Sequence, residues 1–167
     1  MGRVLFRSIP SFLLALGFTL ILMSGSACRN PFSPIEDIDR IPEVLVVNGT
    51  KISMQVYLYR DFMPGGEPGG SPLFVIVFLI AEGLDHFPDQ LGADRVWVTN
   101  RTDTWTTRFT HEERPCSPAE PNKISLSAGG GPKWEVGTRA DVVVRVTVAG
   151  KGELYLKSLN HTVVAVW

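Results

Sequence analysis

Regular alternation of apolar and polar residues dominates the chain from about residue 43 onward. Positions 52–58 alternate apolar with polar or aromatic side chains, and positions 142–148 carry valine at every second residue. A period of two is typical of β-strands that bury one face. Positions 73–81 are apolar throughout, which predicts a central strand covered on both sides. Since no useful stretch shows the helical period, the sequence predicts an all-β domain.

Turn residues divide this region into short strands. Asn48-Gly49 follows the apolar stretch 44–47 and predicts a tight hairpin. Residues 100–103 are expected to join strands 95–99 and 104–110. Glycines at 129–131 are expected to end the strand 124–127, and a turn at 160–161 is expected to separate strands 154–157 and 162–166. This spacing predicts about eight or nine strands.

Strands of this number and size predict a two-sheet antiparallel β-sandwich, because two sheets are needed to bury the alternating faces. The domain resembles the immunoglobulin-like modules of exported bacterial proteins in strand count and size. The paired core cysteines and intervening tryptophan of antibody domains are absent from the sequence. A closed barrel of the same strands stays an alternative.

The first 27 residues have a different pattern. Arg3 and Arg7 precede an apolar run from Phe12 to Met23, and small residues occupy positions 24–27. A basic start, an apolar middle and a small-residue end are the features of an export signal. The run is shorter than the roughly 20 apolar residues that a membrane-spanning helix needs. We therefore expect a cleaved signal peptide over residues 1–27.

Cys28 directly follows the small residues. The run Ser24-Gly25-Ser26-Ala27-Cys28 resembles the lipobox of bacterial lipoproteins, although Gly25 stands where that family usually has leucine. The resemblance implies cleavage before Cys28, lipid modification of this cysteine, and a membrane as partner. The alternative is ordinary signal cleavage after Ala27, which would leave Cys28 free to pair with Cys116.

The remaining chain divides into two parts. Residues 28–42 contain three prolines and are expected to form an extended tether, and residues 43–167 are expected to form the β-sandwich domain. The closing segment 134–167 also resembles the ends of small bacterial lipoproteins, a likeness that implies no activity. Together these features predict a protein exported to the periplasm or cell exterior and held at a membrane.

Charge and motifs argue against several functional classes. Without Arg3 and Arg7, 14 basic and 17 acidic residues remain, a net charge of about −3. There is no run of basic residues, so nucleic-acid binding is not expected. The aspartates at positions 85, 89 and 94 do not have the spacing of a calcium loop. No metal or cofactor is therefore expected.

Catalytic motifs are similarly weak. His111-Glu112-Glu113 lacks the second histidine of a zinc protease, because that position is Pro115. Cys116 could in principle pair with a histidine as a nucleophile, but it stands in no recognisable motif. We therefore expect a protein that is not an enzyme, and a thiol- or histidine-dependent hydrolase is the lowest-ranked alternative.

Aromatic residues in strands are the candidate ligand contacts. Tyr57 and Tyr59 share the wetter face of one strand, while Trp97 and Trp105 lie in others. The alternative is that they cover a sheet or fill the core. The leading hypothesis is a non-enzymatic binding or structural module, with loops 61–72 and 111–122 as further contact sites. A carbohydrate-binding module that uses these aromatics is the second hypothesis.

Overall fold

The computed structural model describes residues 33–167, which form nine β-strands after one short helix. The strands are β1 (Leu45–Val47), β2 (Thr50–Asp61), β3 (Leu73–Glu82), β4 (Leu91–Thr99), β5 (Thr104–Arg108), β6 (His111–Glu113), β7 (Lys123–Gly131), β8 (Arg139–Val148) and β9 (Lys151–Val166). The helix is a 3₁₀ helix, Pro34–Arg40. The predicted all-β class is confirmed. The expected signal peptide and Cys28 lie outside the described residues.

The second half of the expected tether is folded onto the domain. Pro34 begins the 3₁₀ helix, as suits a residue whose fixed φ and missing N–H fit the first helical position. The buried Lys157 of β9 donates from Nζ to the carbonyls of Ile38 (3.1 Å) and Asp39 (3.2 Å). The backbone N–H of Lys157 also donates to the carbonyl of Pro42 at 3.0 Å. Residues 34–42 are therefore part of the packed structure rather than an extended linker.

The strands form one continuous mixed sheet rather than two separate antiparallel sheets. Their order is β5-β4-β8-β9-β2-β3-β7-β6, with β1 paired to β2. Each of these pairs is antiparallel except β2 and β9, which run parallel with Leu58 opposite Val163. The expectation of a purely antiparallel arrangement is therefore wrong at this one junction.

Strand β9 joins the two halves of the sheet. Residues 151–162 pair with β8, and residues 163–166 pair with β2. The sequence predicts a turn at 160–161, but the chain continues as a single strand with a register shift opposite Ala140 and Val142. Asn160 takes a left-handed φ of 69° there. Asparagine tolerates this conformation, so it bends the strand instead of ending it.

The sheet curls until its ends approach each other. The N–H of Phe109 donates to the carbonyl of Asp94 at 3.2 Å, and the N–H of Thr110 donates to the carbonyl of Ser127 at 2.9 Å. These bonds link the β5–β6 connection to both halves. Inward-facing side chains of both halves then form one core. Its fully buried members include Leu58, Val75, Val77, Leu79, Val96, Val98, Ile124, Leu126, Val142, Val144, Val146 and Leu156.

Most predicted strands are confirmed, and two further differences concern β7 and β3. The hairpin turn is formed by Asn48 (φ 51°) and Gly49 (φ 83°), as a two-residue loop of positive φ requires. Gly129–Gly131, expected to break a strand, instead lie within β7. A Cβ on Gly129 would meet the Phe74 ring at 2.6 Å, so glycine serves packing here. Strand β3 is fully buried on only one face, contrary to expectation, since its outward positions are half-buried.

Candidate functional site

Four aromatic rings cover the outer face of β2 and β3. Tyr59 lies opposite Phe74 in register, and their rings stack with centroids 5.4 Å apart at 17°. The Tyr57 and Phe78 rings form a perpendicular, T-shaped pair with centroids 5.9 Å apart at 90°. Both geometries are favourable for aromatic pairs. We call Tyr57, Tyr59, Phe74 and Phe78 the aromatic face.

The alternation of the two strands explains why these rings lie outside. In β2 the inward positions include Ile52 and Leu58, so the intervening tyrosines must point to the opposite side. In β3 both faces are apolar, and its outward phenylalanines therefore meet the tyrosines across the strand pair. Period-two alternation thus builds a hydrophobic core on one side and an aromatic surface on the other.

The aromatic face remains accessible within the described part of the chain. Tyr57 is 57% exposed, and Val164 of β9, the register partner of Tyr59, is 47% exposed. At the other edge, Lys123 Nζ lies 4.5 Å from the centroid of the Phe78 ring and 3.1 Å from Glu120 Oε1. The surface is therefore apolar in the middle and charged at one margin, a composition suited to contact with another molecule.

The structure does not bring all four predicted ligand residues together. Tyr57 and Tyr59 share the aromatic face, as predicted. Trp97 lies on the outer face of the other half of the sheet and is only 5% exposed. Trp105 packs against the core, and a Cβ on Gly131 would lie 2.8 Å from its ring. The tryptophans therefore fill structural positions, in line with the alternative weighed for them.

Trp97 is buried by the segment that precedes β1. Ile41 and Val143 pack with it, together with the half-buried Ile38 of the 3₁₀ helix. Tyr155 of β9 contacts the Trp97 ring with centroids 5.9 Å apart. This side chain is unavailable to a ligand while residues 34–41 stay in place.

Phe74 and Phe78 are the members of the aromatic face that the sequence analysis does not single out. The apolar stretch 73–81 is their only signal in the sequence, and it predicts a strand covered on both sides. Which outward positions stay open depends on what packs over the sheet, and a period of two does not reveal that.

A cleft of about 810 Å³ lies at the far end of the sheet, between the β4–β5 turn and the 3₁₀ helix. Ile38 contributes to an apolar wall, and Thr99 and Asp141 contribute polar atoms. Arg101 (φ 73°) and Asn160 (φ 69°), both in left-handed conformations, also line it. The cleft has room for a small molecule, and its lining includes the carboxylates of Asp39 and Asp141 but no histidine, cysteine or lysine.

The geometry around Cys116 does not favour nucleophilic chemistry. Its Sγ lies 3.9 Å from Glu120 Oε2, and burial together with this carboxylate raises the pKa of the thiol. A raised pKa disfavours the reactive thiolate. His111 pairs with Glu113 at 3.4 Å, and His161 Nε2 lies 2.7 Å from Ser158 Oγ. The expected loop 111–122 also begins as a strand, β6, rather than as irregular chain.

Residues 33–167 contain neither a candidate metal site nor a candidate membrane span. No group of three histidine, cysteine or acidic side chains in this range is placed to hold a metal ion. No helix in the same range is both long enough and apolar enough to cross a membrane.

Comparison with known proteins adds no assignment. No protein-family model matches the chain. No curated protein matches its sequence, and no solved structure matches its fold.

Proposed function

We propose that this chain is a non-enzymatic binding module, exported and held at a bacterial membrane surface through a lipid on Cys28. The aromatic face is its partner-binding surface. The observation that carries the binding role is the exposed Tyr57 ring beside the Tyr59–Phe74 stack on one sheet. The pattern of residues 1–28 supports the export and anchoring part.

We further propose that the curled sheet functions as an immunoglobulin-like sandwich with its two halves as layers. In support, inward side chains of β2, β3 and β7 share one core cluster with those of β4 and β8. Such a body keeps its outer faces rigid and available for contact, because the strands hold each side chain at a fixed position.

A protein partner is the first candidate for the aromatic face. Aromatic side chains contribute strongly to protein interfaces because they bury a large area at little conformational cost. The charged margin formed by Lys123 and Glu120 matches the polar rim that surrounds such interfaces.

A cell-wall glycan is the second candidate. The Tyr57 ring is perpendicular to the Phe78 ring and its side chain remains 57% exposed, so much of its ring surface is open. An open ring face with a hydroxyl at its tip can stack on a sugar and hydrogen-bond to it.

The test replaces Tyr57 with a photo-crosslinking phenylalanine analogue in the native host. We expect a covalent adduct at position 57 and none at the matched position 106, where the exposed Thr106 lies on the other half of the sheet as the register partner of Trp97. Mass spectrometry of the adduct identifies a protein partner, and a glycan array with the Tyr57→Ala variant tests the sugar. Equal adducts at both positions, with array binding unchanged in the variant, would exclude the aromatic face as the binding surface.

The anchoring part is tested separately by the Cys28→Ala variant. Membrane fractionation should find the variant in the soluble fraction and the unaltered chain in the membrane fraction. Membrane association that survives the substitution would contradict lipidation at Cys28 and leave the role of the aromatic face intact.

A further inference from the structure

Three arginines lie side by side on the other half of the sheet. Arg95 of β4 is the register partner of Arg108 of β5 and also of Arg145 of β8. Register partners in antiparallel strands share a face, so the three side chains leave the same outer surface. We call them the arginine row. Like charges directly opposite each other repel, so this arrangement requires negative charge nearby.

Two described carboxylates bond to the arginine row, and both of them bond to Arg145. Its Nε donates to Asp94 Oδ1 at 2.8 Å, and a second nitrogen donates to Asp94 Oδ2. Its Nη1 donates to Glu153 Oε1 at 2.6 Å. The hydrogen bond from Arg145 lowers the pKa of Asp94, and the charges of Arg95 and Arg108 contribute in the same direction. All three guanidinium groups therefore lie close enough to influence the carboxylate of Asp94.

Arg95 and Arg108 are left without such partners. Neither guanidinium makes a hydrogen bond or an ion pair with any residue between 33 and 167, and the buried Nε of Arg95 has no acceptor there. The Arg95 guanidinium lies 5.8 Å from the centroid of the Trp97 ring, a contact that attracts the charge but accepts no N–H bond. Arg108 is exposed. The row thus offers unused donors at a site with excess positive charge.

We propose that Arg95 and Arg108 together bind a phosphate group, supplied either as free phosphate or as a lipid headgroup. Two cross-strand guanidinium groups on one face can close on a tetrahedral oxyanion from two sides. A carboxylate presents two oxygens in one plane and matches a single guanidinium group, as Asp94 matches Arg145. A phosphate group has enough acceptor oxygens to bind both guanidinium groups. This site is separate from the aromatic face and does not depend on the proposed function.

The test titrates the full chain, purified in detergent, with two probes followed by phosphorus NMR. Inorganic phosphate represents the free ion, and glycerophosphoglycerol represents a lipid headgroup. We expect saturable binding of at least one probe, weakened about tenfold in each of Arg95→Gln and Arg108→Gln, as expected for loss of a charge-assisted contact. The probe with the tighter binding identifies the source of the phosphate group.

Arg101→Gln is the matched control, because Arg101 is also exposed and lies at the opposite end of the same strand pair. It should leave binding unchanged. Should Arg95→Gln fail to fold, the exposed Arg108→Gln variant still decides the question, with circular dichroism as the folding check. Absence of saturable binding by both probes, or equal weakening in all three variants, would overturn the proposal.

Discussion

The two outer faces of this sheet carry similar aromatic residues and differ in what lies over them. Tyr57 on the β2–β3 half is 57% exposed, whereas Trp97 on the β4–β8 half is 5% exposed. Residues 34–41 pack over Trp97, and Lys157 holds that segment through its carbonyls. The exposure of a strand aromatic is therefore decided by the chain segment placed over it, and not by its position within the strand.

The largest expected difference between the two faces is in the free energy of unfolding lost when an aromatic residue is replaced by alanine. We expect Trp97→Ala to lower the free energy of unfolding by about 3 to 5 kcal/mol, because it empties a buried aromatic position. Tyr57→Ala should cost about 1 kcal/mol, since it removes one edge contact and little burial. Urea unfolding followed by circular dichroism measures both. Similar losses in the two variants would mean that the faces do not differ in packing.

Lys157→Met should loosen the segment over Trp97 with a smaller effect. It removes the two side-chain bonds to the carbonyls of Ile38 and Asp39 while preserving the length of the buried side chain. We expect a loss of about 1 to 2 kcal/mol and faster proteolysis within residues 34–41.

Lys133→Met is the control for this change, because Lys133 pairs with Glu67 at the surface, 2.8 Å from its carboxylate. A surface pair of this kind contributes little to stability. Unchanged proteolysis within residues 34–41 of the Lys157→Met variant would show that packing alone holds the segment.

The smallest expected effect is the pH dependence of stability that arises from His161, which lies at the junction between the two halves of the sheet. Burial lowers its pKa below the ordinary 6.5, with Asp141 opposing the shift. As the pH falls, His161 is therefore protonated in the unfolded chain before it is protonated in the folded one. The stability that the neutral His161 contributes is complete above pH 6.5 and declines as the pH falls below that value. We expect a decline of less than about 1 kcal/mol between about pH 7.5 and pH 5.5.

The urea midpoint at the two pH values measures this decline. His161→Gln should reduce the difference, and His111→Gln, at an exposed position, should preserve it. Asp94 stays ionised in this window because its pKa lies below its ordinary value, so it does not obscure the result. The same pH dependence in both variants would contradict the role of His161.

Local patterns in the sequence predict the individual strands well. The valines at 142–148 predict β8, and Asn48-Gly49 predicts the first hairpin, because both signals arise within a few neighbouring residues. The same kind of signal fails at Asn160. Its left-handed conformation fits a turn as readily as a bulge, and only the strands beside it decide between them.

The candidate site could be predicted only in part, for the same reason. That Tyr57 and Tyr59 share a face follows from strand period alone. The burial of Trp97 depends on Ile41, and the inward packing of Trp105 depends on Gly131, both distant in sequence. The parallel pairing of Leu58 with Val163 likewise joins residues separated by most of the domain.

The position of β9 also determines when the domain can finish folding. Strand β2 can pair early with its neighbours β1 and β3, yet its residues 58–61 lack their second neighbour until residues 163–166 join the sheet. One edge of β8 likewise lacks its neighbour until residues 151–162 of β9 pair with it. Native pairing between the two halves therefore joins strands that are far apart in sequence, and this separation makes the step slow relative to hairpin formation. During that interval the exposed edges of β2 and β8 are the points most open to chaperones or to aggregation.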